Sequence, residues 1–367
     1  MRIAVDAREL LGQRTGVGRY LAELCAQWAT LPADAPYHFE LYAHVPGDTP
    51  EVLGDPFDRD RGPFSYRPVL GSGDVWWEQH DFARALRIDQ PDVLFAPGYT
   101  APLGIPMPVV LTVHDISFES HPEWFGWREG LRRRWLTQLS AANATRIICV
   151  SGFTRDELVS HYRTPADRVR VVWSGVNVRS VNRDGERTPL VLFVGSIFNR
   201  RHIPELIAGF AGIADRQPSA RLVLVGANRT HPPESPVILA ERAGVGSRVR
   251  VCDYIDEAEL QTLYQRASVF AFLSEYEGFG LPPLEAMAAG VPVVVGDTPV
   301  ARELYGEAAW RVPVNDSDAV GAAILTLLLD QEARQRALRA AAARLPLFTW
   351  HRAAAETLEI LDKAGRL

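Results

Sequence analysis

Cysteine is scarce in this chain of 367 residues: three occur, Cys25, Cys149 and Cys252, far apart and without a CxxC pair. That spacing supplies neither a disulfide framework nor a zinc site, and it fits a reducing compartment. Long apolar runs are missing too; none approaches the roughly 18 residues from which a membrane-spanning helix is read. An excess of positive charge is also absent. The net charge of −6 argues against nucleic acid as a partner, because a phosphate-binding surface tilts the balance basic. Met1-Arg-Ile-Ala-Val-Asp6 runs straight into a strand with no apolar h-region, so no signal peptide is expected. These absences predict a cytoplasmic protein, with peripheral attachment at the inner face of the cell membrane left open.

What is present is ordinary globular composition, 47% hydrophobic and 23% charged, in a chain longer than one core usually serves. Two domains are the natural prior. Strand-like runs occur at Ile3–Val5, His38–Ala43, Val93–Ala96, Val109–Val113, Arg146–Val150 and Val169–Trp173. A second set follows at Leu190–Val194, Leu222–Val225, Val249–Cys252, Val269–Leu273 and Val291–Val295. Helical patterns separate most of them, among them Tyr20–Thr30, Phe153–His161, Ile203–Arg216, Glu257–Arg266 and Ala319–Arg344. The alternation implies α/β architecture with parallel sheets covered on both faces. The polar stretch from Gly175 to Pro189 interrupts it once and reads as a linker. Two doubly wound domains with a ligand cleft between them are therefore expected.

The densest motif is Glu277-Gly-Phe-Gly-Leu-Pro-Pro-Leu-Glu285, behind the run Val269–Leu273. A strand, a glycine turn and a helix N-terminus present backbone N–H groups to an anion. The two carboxylates add acceptors for hydroxyls, so a sugar nucleotide fits. Gly195-Ser196-Ile-Phe-Asn-Arg200-Arg201 follows the same grammar, and adjacent arginines can clamp a diphosphate; a solvated basic turn is the plain alternative. Thr15-Gly16-Val17-Gly18-Arg19-Tyr20 lets the backbone approach a phosphate or is simply a turn. It is not GxGxxG, and no acidic residue follows at the distance an NAD ribose needs. His114, after Val109–Val113, stands where α/β folds place ligand-facing groups, although such a histidine is more often just hydrogen-bonded. Trp124 to Leu136 mixes aromatics with arginines: an ordinary helix with a basic face, or a segment that lies on an anionic membrane.

Taken in order, these pieces resemble the retaining glycosyltransferases of the GT-B fold, family 4. The pieces are Asp6-Ala-Arg8 with Thr15-Gly-Val-Gly-Arg-Tyr20, Thr112-Val-His114-Asp115, Val150-Ser151-Gly-Phe-Thr-Arg, Val194-Gly195 with Arg200-Arg201, and Ser274-Glu-Tyr-Glu277 through Glu285-Ala-Met. The resemblance covers nearly the whole chain. It implies two Rossmann-like domains facing an interdomain cleft: an acceptor-side domain, 1–177, and a donor domain, 178–349. A last helix, 350–367, is expected to pack back on the first.

The resemblance also implies roles. Glu285 would accept from the ribose hydroxyls; Glu277, with the N–H groups of Phe279, Gly280 and Leu281, would hold the transferred sugar. Arg200 and Arg201, with the Gly16 and Gly18 backbone and Ser196, would meet the diphosphate, without a metal or other cofactor. His114 would face the reacting centre. The opening looks like that of bacterial mannosyltransferases that build lipid-linked polysaccharides. Three departures stand out: Arg201 where lysine is common, Ser196 where some members place arginine, and Asp253 at a usual glycine. Asp253, beside Tyr254, can accept from the two adjacent N–H donors of a guanine edge. The expected donor is accordingly GDP-mannose and the acceptor a glycan or lipid-linked glycan hydroxyl, with membrane contact through Trp124 to Leu136. Alternatives are another nucleotide sugar (UDP-, ADP- or dTDP-linked glucose or rhamnose), a nucleotide-sugar epimerase, or a non-catalytic sensor.

Overall fold

The computed structural model describes residues 1–11, 16–45, 62–177 and 188–367. The chain divides into two compact units, Met1–Gly175 with Trp350–Leu367, and Val176–Thr349. The first contains β1 (Arg2–Asp6), α1 (Gly16–Trp28), β2 (His38–Val45), β3 (Phe64–Leu70), α2 (Ala83–Asp89), β4 (Val93–Ala96) and β5 (Val109–Val113). It continues with α3 (Ser117–Ser120), α4 (Trp127–Asn143), β6 (Arg146–Cys149), α5 (Gly152–Tyr162) and β7 (Val169–Val171). Its strands form a seven-stranded sheet in the order β3-β2-β1-β4-β5-β6-β7. All of its registered pairs are parallel.

The second unit begins with β8 (Leu190–Val194), α6 (Ile203–Ile213), β9 (Arg221–Val225), α7 (Pro236–Arg242), β10 (Val249–Cys252), α8 (Glu257–Arg266) and β11 (Val269–Phe272). Then come α9 (Leu281–Ala288), β12 (Val293–Gly296), α10 (Pro299–Leu304), β13 (Ala309–Val312), α11 (Ser317–Leu329) and α12 (Gln331–Arg344). The sheet order is β10-β9-β8-β11-β12-β13, again parallel. The chain ends in α13 (Trp350–Gly365), which returns to the first unit.

Both faces of each sheet are covered, so central strands such as β4, β5 and β12 are buried along their whole length. In β1 the alternation of side chains divides the core. Ile3 and Val5 join Leu24 and Trp28 of α1 on one face, while Ala4 meets Trp77, Phe82 and Leu94 on the other. The first of these layers is closed by α13, whose Ala354, Leu358 and Leu361 pack on α1; Trp28 Nε1 donates to Ala354 O at 3.1 Å. In the second unit α6 and α11 meet through glycines. A Cβ on Gly209 would lie 2.6 Å from Ser317 O and 2.9 Å from Gly321 N.

Three expectations need correction. Two strands escaped the sequence reading, β3 and β13, and both are sheet edges. β3 carries Arg67 and Pro68, and its burial is patchy, so it lacks the apolar run of a central strand; proline is tolerated at such an edge. The helix expected over Ala319–Arg344 is two helices. Asp330 ends α11 and caps α12, accepting from Ala333 N at 2.9 Å. Helix α1 begins at Gly16, earlier than the expected Tyr20, so Gly16 and Gly18 lie in a helical first turn. Thr15 and most of the expected linker, 178–187, lie outside the described residues. Cys25 and Cys149 are buried and Cys252 is half-buried, all as free thiols.

Candidate active site

In the second unit the site grows from two neighbouring strand ends, β8 and β11. After Val194 the chain turns at Gly195, whose φ of +147° lies in the region that favours glycine. Gly226, at the end of β9 with φ +142°, presses against the Gly195 carbonyl where a Cβ would collide. The turn continues through Ser196 into a short 3-10 segment, Asn199–Arg201, and His202 (φ +50°) then starts α6.

Arg201 is nine-tenths buried, its guanidinium 4.4 Å from the ring centroid of Phe272 at the end of β11. It pairs with Glu277, Nη2 to Oε1 2.9 Å. Ser274 Oγ donates to the same carboxylate oxygen at 2.6 Å. The expected phosphate clamp and the expected sugar ligand are therefore bonded to each other. The surrounding turns are laced together: Glu275 N donates to Arg200 O (3.0 Å), and His202 Nε2 lies 3.2 Å from Glu275 Oε2. Arg200 packs on Phe198, 4.4 Å from guanidinium carbon to ring centroid.

The glycine loop is held from beneath. Gly280 adopts φ +86°, and Tyr305 Oη occupies the space a Cβ would need there, donating to Gly280 O at 2.8 Å. Burial, and secondarily the Glu277 charge, push the Tyr305 phenol well above its ordinary pKa, so it stays a donor; Arg201 opposes the shift. Helix α9 begins at Leu281 with Pro282 and Pro283 in its first turn. Prolines lack an N–H, so the first-turn donors are concentrated near residues 279–281. Phe279 is buried edge-on against Phe348, at 5.9 Å. Glu285, one turn into α9, accepts from Tyr264 Oη of α8 at 3.2 Å. Asp253 and Tyr254 follow β10 and are exposed, Tyr254 strongly so.

In the first unit the predicted residues also sit at carboxyl strand ends. His114 follows β5, and its Nε2 lies 2.7 Å from Pro97 O. A carbonyl only accepts, so Nε2 carries the proton and Nδ1 keeps its lone pair. Burial lowers the His114 pKa, with Pro97 O and Asp115 opposing, so the ring is neutral near pH 7. Tyr20 contacts it edge-on at 5.0 Å. Asp115 accepts from Tyr99 Oη (3.0 Å) and from Ser117 N and Oγ (2.8 and 2.7 Å). Gly16 has open space where a Cβ would be, so no packing of the described residues demands glycine there. Gly98, after β4, is the close approach: its Cβ would stand 3.1 Å from Val17 at the start of α1.

Asp6-Ala-Arg8 proves to be a buried ion cluster. Arg8 Nη2 lies 2.6 Å from Asp6 and 2.5 Å from Glu78, and Thr100 Oγ1 donates to Glu78 at 2.7 Å. Burial alone would lower the Arg8 pKa, but the two carboxylates outweigh it and keep the guanidinium charged. Sequence reasoning did not find Ser274, Tyr264, Tyr305, Phe272 or Glu78. Ser274 lay inside the quoted motif, whereas the others become neighbours only through the fold. Among the described residues, no three His, Cys, Asp or Glu side chains gather to hold a metal ion.

Residues 14–180 match the family described as Glycosyltransferase Family 4, and residues 177–344 match Glycosyl transferases group 1. The chain belongs to the family 4 glycosyltransferases of the GT-B fold. This glycosyltransferase is 28% identical over 261 residues to the O-antigen chain mannosyltransferase B of Escherichia coli, an alignment spanning 68% of each chain. It is 29% identical over 283 residues to the D-inositol 3-phosphate glycosyltransferase of Corynebacterium glutamicum, covering 70% of this chain and 67% of that one. Identity is also 29%, over 211 residues, to the GDP-mannose:cellobiosyl-diphosphopolyprenol alpha-mannosyltransferase of Xanthomonas oryzae, covering 57% and 54%. Among solved structures, the sucrose-phosphate synthase of Thermosynechococcus elongatus has a similar fold, with TM-score 0.75, 20% identity, and coverage of 99% and 98%. The enzyme is a hexosyltransferase.

Proposed function

We propose that this enzyme transfers mannose from GDP-mannose, with retention of configuration, to a hydroxyl of a glycan or lipid-linked glycan. The observation that carries this reading is the buried Arg201–Glu277 pair at the ends of β8 and β11. Glycosyl transfer builds negative charge on the departing diphosphate and positive charge on the sugar ring. A fixed guanidinium beside a fixed carboxylate answers both, and burial makes each charge more effective than it would be in water. Arg201, with Arg200, meets the diphosphate; Glu277 faces the sugar, oriented by Ser274 Oγ. Glu285, steadied by Tyr264, takes the ribose hydroxyls. The neutral His114 keeps an acceptor at Nδ1 for a sugar hydroxyl, and the first-turn N–H groups at Gly16 and Gly18 favour a phosphate.

Mannose and GDP are supported by the names of two relatives, one of which acts from GDP-mannose on a diphosphopolyprenol-linked acceptor. Exposed Asp253, past the end of β10, offers two acceptor oxygens to a guanine edge. A lipid-linked acceptor would bring the enzyme to a membrane surface, and peripheral attachment at the inner face belongs to this reading. The inositol-phosphate relative favours a second reading, in which the acceptor is a small phosphorylated polyol.

Slow hydrolysis of GDP-mannose, followed by proton NMR before mutarotation, tests the reaction class. Release of GDP with α-mannose first is expected. β-Mannose first would overturn retention, and conversion to another sugar nucleotide would mark an epimerase.

A further inference from the structure

The helix α4 is built the wrong way round for a surface helix. Its buried residues are small or polar, Gly130, Thr137, Ser140 and Ala141. Both of its tryptophans and one of its three leucines face solvent: Trp127, Leu131 and Trp135 are 74%, 58% and 64% exposed, while Leu136 and Leu139 are half-buried. Four-residue steps advance about 40° around a helix, so these three form one outward stripe about 12 Å long. A soluble helix puts its apolar stripe inward, and a continuous exposed one marks a binding face.

Charge tells what covers it. Arg128 and Arg132 each follow a stripe residue by one position and flank the stripe along its length; both are exposed. The Arg128 guanidinium lies 5.1 Å from the Trp127 ring centroid, beside the stripe. Glu129, the acidic residue of α4, is paired with Arg133 at 2.7 Å. Apolar residues that include two tryptophans, bordered by exposed arginines, match an anionic lipid interface, with rings at headgroup depth and guanidinium groups on phosphates. The fold also orients it. β5 carries His114 at its carboxyl end, and α4 runs from that side of the sheet back to β6. Trp127 therefore lies toward the carboxyl side of the sheet, where His114 stands.

We propose that Trp127, Leu131 and Trp135, with Arg128 and Arg132, form a face that docks this enzyme on an anionic membrane. Relative to the sequence expectation over Trp124 to Leu136, the geometry narrows the face: Trp124 belongs to a separate 3-10 turn, and Arg134 is half-buried at the inner border. The purpose rests on the lipid-linked acceptor of the proposed function, but docking can be measured with no donor or acceptor present.

The test is cosedimentation of the full chain with vesicles of phosphatidylcholine, with and without 30 mol% phosphatidylglycerol (about that proportion). Binding to the anionic vesicles alone is expected, weakening sharply as salt is raised. Arg128→Glu with Arg132→Glu should weaken it by about 30-fold or more. Trp127→Ser with Trp135→Ser should weaken it by about tenfold or more while leaving the circular dichroism spectrum unchanged. Equal sedimentation of wild type and both variants, or none by wild type, overturns the proposal. So does a wild-type dimer that the tryptophan variant converts to monomer in sedimentation velocity, which would make the stripe a contact between copies. A docked enzyme that leaves GDP-mannose untouched would fail the proposed function and not this inference.

Discussion

Replacing Glu277 by Gln isolates the charge that the site places beside the sugar. The side chain keeps its shape and an acceptor oxygen, so the bonds from Arg201 (2.9 Å) and Ser274 (2.6 Å) can persist. Only the anion is removed. If Glu277 stabilises positive charge that develops on the ring, turnover should fall about 10²–10³-fold, or roughly 3–4 kcal/mol in the barrier, as when one preorganised group is deleted. Binding of the nucleoside diphosphate should change little or tighten, because Arg201 then carries its charge without an internal counter-ion. The fold loses the difference between a charged and a neutral hydrogen bond, about 1–2 kcal/mol, or about 2–8 °C in a unit of this size. The measurements are GDP calorimetry, transfer or hydrolysis rates, and a melting curve. Equal losses in GDP affinity and turnover would refute the charge assignment and make Glu277 a binding residue only; undiminished turnover would refute it outright.

Three further outcomes follow from the geometry. Tyr264→Phe removes the hydroxyl that steadies Glu285 at 3.2 Å; nucleotide affinity should fall about fivefold (about 1 kcal/mol) with the turnover of bound donor nearly unchanged, as titration calorimetry and saturation kinetics would read. His114 and His44 both have pKa values lowered chiefly by burial. The unfolded chain then takes up protons first, so stability is full above about pH 6.5 and declines as pH falls through the lowered pKa values. Melting temperature recorded from pH 8 to 5 should show that decline, and His114→Gln should flatten it; an unchanged slope would contradict a buried neutral ring. Gly209→Ala should destabilise the protein by about 1–3 kcal/mol, since its Cβ meets the backbone of α11 at Ser317 and Gly321; a melting point equal to wild type would mean the helices shift freely.

The central strands were legible because parallel strands buried on both faces are written as short apolar runs, and Val109–Val113 and Val93–Ala96 coincide with β5 and β4. Two of the four edges were not: β3 and β13 answer to solvent on one side and carry Arg67, Pro68 and Trp310, whereas the edges β7 and β10 keep short valine-rich runs. The break at Asp330 was written as a cap but hidden by apolar periodicity on either side. At the site, sequence order located the turns that hold Arg201, Glu277 and Gly280, since strand–glycine–helix grammar is local. It could not show that Arg201 and Glu277 bond to each other. That pairing depends on β8 lying next to β11, a long-range choice of the sheet. Tyr305 and Tyr264 enter for the same reason, as supports from α8 and the end of α10 with no motif of their own.

The most direct test of the account is a thermal-shift titration of the full chain with GDP-, UDP-, ADP- and dTDP-linked hexoses at matched concentrations. A ligand that binds only the folded state stabilises it by mass action, so the order of shifts reports the order of affinities. GDP-mannose should raise the melting temperature most, and Arg201→Ala should abolish the shift relative to its own unliganded baseline. A uridine- or adenosine-linked sugar protecting the protein at tenfold lower concentration than GDP-mannose would contradict the donor assignment; a full shift retained in Arg201→Ala would contradict the site itself.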